Sequence, residues 1–258
     1  MTMARFMGDT ATVAAMECRT SFRTPVWLFM SLFQPLLWLL LFGRLFEPMV
    51  RVPGFGARSY VEFLLPGVMG MTAMFAAGWS GLGLVYDMQR GTLERLLVTP
   101  AARASLMMGR IAWWAAVAVV QCLLVLGVAH LMGVRVVTGA PGILGITGIL
   151  GMFGVALGAF SHALAATTGE QTAVVSTLQF CSVPAMFLSS TLMPLNLAPG
   201  WVRQVAAANP LHWAVEGVRI LLLDGWQWAV VGRDVGLLAL FAGLMVAWAV
   251  SSLRRLSA

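Results

Sequence analysis

Two polar residues of the sequence have the types and local surroundings of a serine hydrolase. Ser80 lies between glycines in the run Gly78-Trp-Ser-Gly81, and His130 precedes Gly133 in a second apolar run. A serine hydroxyl becomes a nucleophile when an imidazole about 3 Å away accepts its proton. If these two side chains met inside an apolar chain, the protein would be a peptidase that cuts within the membrane.

The expected positions of the two residues argue against that chemistry. Ser80 lies 16 residues into an apolar stretch that starts at Leu64, and His130 lies 19 residues into the next stretch, which starts at Ile111. The two stretches would run antiparallel, so at about 1.5 Å per residue the side chains lie roughly 20 Å apart. The motif resembles that of rhomboid intramembrane proteases, but we interpret Ser80 as a small residue among glycines.

The charged residues exclude a further group of chemistries. All 16 basic residues are arginine, and lysine does not occur. The phosphate loop G-x-x-x-x-G-K-[ST] needs a lysine, so this chain has no such ATP site. The three cysteines are far apart and lack the spacing of a zinc site. We therefore predict no cofactor and no metal in this chain, and if ATP drives it, another chain must bind the ATP and its magnesium.

Hydropathy defines the class of protein. Hydrophobic residues make up 60% of the 258 residues and charged residues 10%, and the mean hydropathy is +0.87. A soluble domain carries about 25% charged residues. The net charge of +6 does not indicate a nucleic-acid partner, because the arginines lie between apolar runs and form no patch. The composition predicts an all-α integral membrane protein in contact with lipids.

Six apolar stretches approach the roughly 20 residues that a membrane-spanning helix needs. They are Val26–Gly43, Leu64–Tyr86, Ile111–Val134, Gly142–Ala165, Ala173–Leu195 and Val235–Leu253. The chain is therefore predicted to form one transmembrane domain over residues 1–258, with five spans in 26–195 and the last span and a tail in 229–258. Both termini then lie on one side, and nine arginines on that side against seven on the other favour the cytoplasm.

Residues 1–25 predict a helix that lies at the inner membrane interface. Asp9 or Thr10 can cap a helix that continues through Ala11–Phe22 without proline or glycine. It carries both apolar residues and arginines such as Arg19, as interfacial helices do, and the alternative is a plain solvated leader.

The loop between the second and third spans predicts a short cytoplasmic helix. Thr92 is a suitable N-cap, and Pro100 would end the helix. Three leucines at positions i, i+3 and i+4 share one face, and they are Leu93, Leu96 and Leu97. The polar side is made of Glu94 and Arg95. A two-turn helix is unstable alone, so the leucine face must dock, on this chain's own helices or on a partner.

Residues 196–228 predict two short helices before the last span. The first runs from about Gly200 to Ala207, and the second starts with Asn209 as N-cap and Pro210 at the first helical position. The segment is too apolar for an open loop and too broken for a full span, so we expect two re-entrant helices in the outer leaflet. The alternative is a seventh span over Pro210–Leu223, which has only 14 residues.

The second of these helices carries a possible ion pair. Glu216 and Arg219 are three residues apart and therefore neighbours on a helix. If they pair, removing one partner leaves an unpaired charge at low dielectric, so either single change should be more harmful than removing both.

Several motifs occur together in one order along nearly the whole chain. They are Gln34–Gly43, Phe63-Leu-Leu-Pro-Gly67, Arg90–Pro100, Gly109-Arg110, Pro199-Gly-Trp201, Asn209-Pro-Leu211 and Glu216-Gly-Val-Arg219. In this ordered set the chain resembles the permease subunits of type-2 ABC exporters, in particular the daunorubicin-resistance and nodulation-factor branch.

The resemblance implies half of an efflux transporter in a bacterial cell membrane. Two permeases, identical or paralogous, would pair with two separate ATP-binding subunits and export a drug, lipid or glycan-type amphipathic molecule. Arg19 and the helix from Thr92 to Leu97 would contact the ATPase. Four residues of the segment before the last span would form an outer gate, and these are Asn209, Pro210, Glu216 and Arg219.

A third class, an ATP-independent channel or scramblase, has no positive motif in the sequence. The polar residues inside the predicted spans are Gln34, Gln121, His130, His162 and Gln179. Ion-driven carriers usually place an acidic residue inside a span. None of the polar residues just named is acidic, which argues against an ion-driven carrier. We expect the histidines to be satisfied by local hydrogen bonds.

The predicted orientation can be measured by cysteine labelling in intact cells. In a background without the three native cysteines, a membrane-impermeant reagent should label the variants Arg51→Cys and Arg203→Cys but not Arg95→Cys, because only the last faces the cytoplasm. Labelling at position 95 without labelling at position 203 would reverse the orientation.

Overall fold

The residues that the structure describes form a bundle of helices. The structure is a computed structural model that describes residues 3–22, 25–52, 57–93 and 103–255. Ten α-helices of eight or more residues lie in these ranges: α1 (Met3–Phe22), α2 (Pro25–Leu45), α3 (Tyr60–Gly78), α4 (Gly81–Gln89), α5 (Arg103–Leu131), α6 (Gly139–Thr168), α7 (Gln171–Phe187), α8 (Gly200–Ala207), α9 (Pro210–Arg219) and α10 (Trp228–Arg255). Short 3₁₀ turns cover Glu47–Arg51 and Leu195–Leu197, and a π-helical turn, Ile220–Asp224, follows α9.

The all-helical membrane class is confirmed, and each of the six predicted stretches falls on helix. Within the described residues, four helices are long and apolar enough to cross a membrane: Tyr60–Gln89, Ala104–Leu131, Gly139–Thr168 and Trp228–Leu253. Met30–Leu45 of α2 is apolar but shorter. The helix of the fifth stretch ends at Phe187, before the predicted Leu195. Six spans therefore remain a prediction.

Helix α3 lies at the centre of the bundle. Its N-cap Ser59 accepts a hydrogen bond from the Glu62 amide at 3.2 Å, and all its residues except Glu62 and Phe75 are buried. It packs against α2, α5, α6 and α9. A turn at Trp79 and Ser80 separates it from α4, where the sequence predicts one continuous stretch.

Two apolar clusters fill the opposite ends of the bundle. The first joins α3, the middle of α5, the first half of α6 and α9. The second joins α4, the start of α5 and the ends of α6 and α10. Helix α6 takes part in both clusters and packs along α10, α5 and α3, so it connects the two ends.

The N-terminal helix is longer than the sequence predicts. It begins at Met3, so the prediction of a cap at Asp9 or Thr10 is wrong. The Thr10 hydroxyl donates to the Phe6 carbonyl one turn earlier at 2.8 Å, which satisfies it inside the helix. Helix α1 packs along α5, where its Val13 is buried.

Two glycines allow the closest approaches of these elements. A methyl group on Gly67 of α3 would lie 2.5 Å from the Thr191 carbonyl oxygen, and one on Gly109 of α5 would lie 2.7 Å from the Thr10 carbonyl oxygen. Because these neighbours are backbone atoms, they cannot rotate away. Only glycine fits here without displacing the turn after α7 or helix α1.

A methyl group should therefore be harmful at Gly109 and harmless at an open position on a neighbouring helix. Gly109→Ala should destabilise the fold by about 1–3 kcal/mol, because it overpacks the contact between α1 and α5. Gly148→Ala is the control, since nothing lies within 4 Å of a methyl group there. The measurement is thermal unfolding of the purified permease in detergent. Equal melting temperatures for the two variants would contradict this packing.

Candidate functional site

The start of α9 is fixed by its capping residue. The Leu211 amide donates to Asn209 Oδ1 at 3.0 Å, and Pro210 occupies the first helical position, as the sequence predicts. Asn209 Nδ2 also donates to the carbonyls of Ala185 and Leu188, at 2.7 and 2.9 Å. One amide group therefore caps α9 and binds carbonyls at the end of α7.

The predicted pair of Glu216 and Arg219 is present, with Arg219 Nη1 3.5 Å from Glu216 Oε2. Arg219 does more than pair. Its Nη2 donates to the Ser190 carbonyl at 2.7 Å and to the Phe63 carbonyl at 3.2 Å, and its guanidinium carbon lies 4.2 Å from the Phe63 ring centroid. Arg219 thus joins α9 to the start of α3 and to the turn after α7.

Two further polar residues, which the sequence reasoning missed, complete this site. The Ser190 hydroxyl lies 2.9 Å from His212 Nδ1 and donates to Glu216 Oε2 at 3.5 Å. We call Ser190, His212, Glu216 and Arg219 the α9 polar cluster. His212 precedes Glu216 by four residues, a spacing that puts both on one face. That spacing was the available signal, whereas nothing in the sequence points to Ser190.

Burial controls the charges of this cluster. Burial lowers the pKa of Arg219 to about 10, against the opposing effect of Glu216, so the guanidinium remains charged at neutral pH. Burial also lowers the pKa of His212, again opposed by Glu216, so its imidazole is neutral at pH 7. The cluster then holds one ion pair beside neutral groups that both donate and accept hydrogen bonds.

A buried arginine, Arg110, organises the opposite end of the bundle. Arg110 of α5 pairs with Glu17 of α1 through Nε and Oε1 at 3.3 Å, and with Asp87 of α4 through a close contact of Nη2 and Oδ2. Burial raises the pKa of Glu17, Arg110 lowers it, and Asp87 raises it further. These three residues, the Arg110 cluster, hold α1 and the end of α4 on α5.

The predicted ATPase-contacting segment begins next to this cluster. Gly91, with a φ of +68°, turns the chain after α4, and Thr92 and Leu93 are helical. Leu93 is buried in the cluster of Leu84 and Met107, so this leucine packs on the chain's own helices. Other residues of the segment lie outside the described residues, and these are Glu94, Arg95, Leu96, Leu97 and Pro100. Arg19 is exposed on α1.

Ser80 meets a different histidine from the one considered in the sequence. Its hydroxyl lies 3.3 Å from His162 Nδ1 and donates to the Ala77 carbonyl at 2.5 Å. The same Nδ1 lies 2.8 Å from the Gly158 carbonyl, which only accepts, so Nδ1 carries the proton and cannot take one from Ser80. His130 Nδ1 lies 3.1 Å from the Val134 carbonyl. The arrangement positions helices and provides no general base for Ser80.

The fold and its buried polar groups define a class of protein. Long apolar helices enclose Arg110 and the largely buried Arg219, and both arginines bond to groups on neighbouring elements. Within the described residues, no group of three His, Cys, Asp or Glu side chains could hold a metal ion. The fold is that of a helical membrane protein. The family model for the ABC-2 type transporter matches residues 9–223, and the chain therefore belongs to the ABC-2 type transporter family.

Several curated relatives are similar to most of this chain. The putative transport permease ycf38 of Porphyra purpurea is 29% identical over 245 residues, which cover 90% of this chain and 83% of the relative. The probable doxorubicin resistance ABC transporter permease protein DrrC of Mycobacterium tuberculosis is 30% identical over 202 residues, which cover 76% of this chain and 72% of the relative. Nodulation protein J of Rhizobium meliloti is 25% identical over 226 residues, which cover 83% of this chain and 85% of the relative.

The additional bonds of Arg219 change the effect expected from mutating the ion pair. Arg219→Gln should destabilise more than Glu216→Gln, because it also loses charged hydrogen bonds to two carbonyls, worth about 1.5–3 kcal/mol each. For the same reason the double variant should melt no higher than Arg219→Gln, although an isolated pair predicts rescue. The measurement is the melting temperature of the three variants in detergent. A higher melting temperature in the double variant than in Arg219→Gln would show that the pair acts alone.

Proposed function

We propose that this chain is the transmembrane subunit of an ATP-driven exporter in a bacterial inner membrane, with both termini cytoplasmic. Its cargo is a drug, lipid or glycan-type amphipathic molecule. The observation that carries the proposal is membership of the ABC-2 family over residues 9–223 in a chain without lysine. Since the phosphate loop needs lysine, the energy must come from a separate ATP-binding subunit.

Two copies of that subunit bind the cytoplasmic end of the transporter. The contact surface comprises residues 1–25, with the exposed Arg19, and the segment that starts at Thr92. Leu93 anchors the segment on the permease core, so Glu94, Arg95, Leu96 and Leu97 are the residues proposed to reach the ATPase. The Arg110 cluster supports this role, because it fixes both α1 and the end of α4 on α5.

A second permease, identical or paralogous, completes the transporter. Gln34 on α2 and Gln179 on α7 are both exposed on the surface of this chain, within stretches predicted to span the membrane. A polar amide that faces lipid leaves its hydrogen bonds unmade, which is costly, whereas across a helix interface it finds partners. We therefore place the second copy against α2 and α7.

Residues 196–228 form the outer gate of the transport path. In this proposal α8 and α9 are re-entrant helices between the five spans of residues 26–195 and the last span in 229–258. The gate residues are Asn209, Pro210, Glu216 and Arg219. This assignment is supported by the hydrogen bonds that join α9 to α3, to α7 and to the turn after α7. ATP-driven closure of the ATPase pair would move the cytoplasmic helices and, through the spans, this gate.

The energy-coupling surface is testable by co-purification. We expect the leucine face to dock in an apolar groove of the ATPase. The double substitution Leu96→Asp and Leu97→Asp should then abolish recovery of the ATPase with the permease, because two carboxylates would be placed in that groove. The control is Leu131→Asp with Val137→Asp, at two exposed apolar residues of the other end of the bundle. Both permeases should elute as single species in size-exclusion chromatography. Normal ATPase recovery and transport by the Leu96/Leu97 variant would refute this surface.

A further inference from the structure

The turn that joins α9 to α10 has an unusual backbone geometry. Ile220–Asp224 is a π-helical turn, and the Gly225 amide donates to the Ile220 carbonyl five residues earlier, at 2.9 Å. Gly225 has a φ of +99° and interrupts the helix before α10 starts. π-Helical turns are rare and frequently occur at functional sites. Because this turn follows directly on α9, its shape sets the angle between the proposed outer gate and the last helix.

Two carbonyls of this turn are bound by another element of the fold. The Thr138 hydroxyl donates to the Leu221 carbonyl at 2.6 Å, and the Val137 amide donates to the Leu222 carbonyl at 2.9 Å. Both leucines are fully buried, so their carbonyls depend on donors from the protein. The turn between α5 and α6 therefore holds the π-helical turn in its present form.

Thr138 serves this neighbouring turn and does not cap its own helix. It is the N-cap residue of α6, a position where threonine usually accepts a hydrogen bond from the first helical turn. Among the described residues its side chain accepts no such bond, and its hydroxyl donates to the Leu221 carbonyl. Gly142, one turn further along α6, makes room for that hydroxyl, because a methyl group on Gly142 would overlap it.

The same two carbonyls have alternative donors in their own segment. In an α-helix each amide bonds to the carbonyl four residues earlier, so the Gly225 amide would bind Leu221 and the Trp226 amide would bind Leu222. Rewinding as α-helix would therefore replace the two bonds from the α5–α6 turn with two bonds inside the segment. Because both carbonyls keep a partner in either form, a small difference in free energy can select between the two forms.

We propose that the π-helical turn is the hinge of the outer gate and that Thr138 is the latch that holds this hinge. The inference rests on the proposed function and adds a positioning residue that lies outside the gate itself. Closure of the ATPase subunits moves the packed helices and breaks the bond between Thr138 and Leu221. The turn then rewinds as α-helix, and α9 changes its angle to α10.

Hydrogen exchange at two backbone amides distinguishes the two forms. In the present form the Val137 amide donates to Leu222, whereas the Trp226 amide donates to none of the described residues. Rewinding reverses this, because the Trp226 amide then takes the Leu222 carbonyl. The permease–ATPase complex in lipid nanodiscs is measured with and without a non-hydrolysable ATP analogue. The analogue should speed exchange at Val137 and slow it at Trp226, each by roughly threefold to tenfold, as expected for one hydrogen bond.

Variants at the latch should adopt the released form without nucleotide. Thr138→Val keeps the shape of the side chain but lacks the hydroxyl, so the Val137 amide should exchange as fast without the analogue as with it. Gly142→Ala should have the same effect, because its methyl group displaces the hydroxyl. The controls are Thr138→Ser, which keeps a hydroxyl, and Gly148→Ala, where nothing lies within 4 Å of a methyl group. Both controls should respond to the analogue like the unmodified permease, and all four variants should retain the ATPase.

The outcomes separate the two proposals. If the analogue leaves exchange at Val137 and Trp226 unchanged in the unmodified complex, the hinge is wrong and the exporter stays in place. If Thr138→Val responds to the analogue like Thr138→Ser, Thr138 is not the latch. Failure of the ATPase to co-purify with the unmodified permease would overturn the proposed function, and with it the inference that rests on it.

Discussion

The fold depends on the requirement that polar groups inside an apolar bundle find their partners within the protein. Two arginines show how, although Arg219 Nε has no partner among the described residues. Arg110 brings carboxylates of α1 and α4 onto α5, and Arg219 brings α9 onto the backbone carbonyls of Phe63 and Ser190. Each arginine fixes elements that the apolar contacts alone, being non-directional, would leave free to slide.

Close contact between backbones accompanies these polar contacts. Gly67 lets α3 meet the turn that carries Ser190, and Gly109 lets α1 lie against α5 one residue from Arg110. In both places a glycine stands beside a buried arginine contact, because a short distance between backbones is what brings the charged groups within bonding reach. At each end of the bundle, a glycine and an arginine therefore together fix how the helices pack.

The two ends are connected by continuous helix packing. The run of α3 and α4 begins at the α9 polar cluster and ends at Asp87 of the Arg110 cluster, and α6 takes part in both apolar cores. In the proposed exporter, a displacement of α1 or of the segment after Thr92 would be transmitted along packed helices to α9. The family relationship gives the class of transporter, and these contacts would provide a physical path for the proposed coupling.

The sequence by itself determined the features that local pattern controls. Apolar length gave the membrane class and the helices, Asn209 and Pro210 gave the start of α9, and the three-residue spacing gave the pair of Glu216 and Arg219. Only the tertiary structure decided which distant groups meet, as in Ser80 with His162, Arg219 with Phe63, and Asn209 with the end of α7. A backbone carbonyl has no residue signature, and such contacts join residues far apart in the chain, so no periodicity records them. The predicted cap at Asp9 or Thr10 was wrong for a different reason, since a threonine hydroxyl can also donate inside a helix to the carbonyl four residues earlier, as Thr10 does to Phe6.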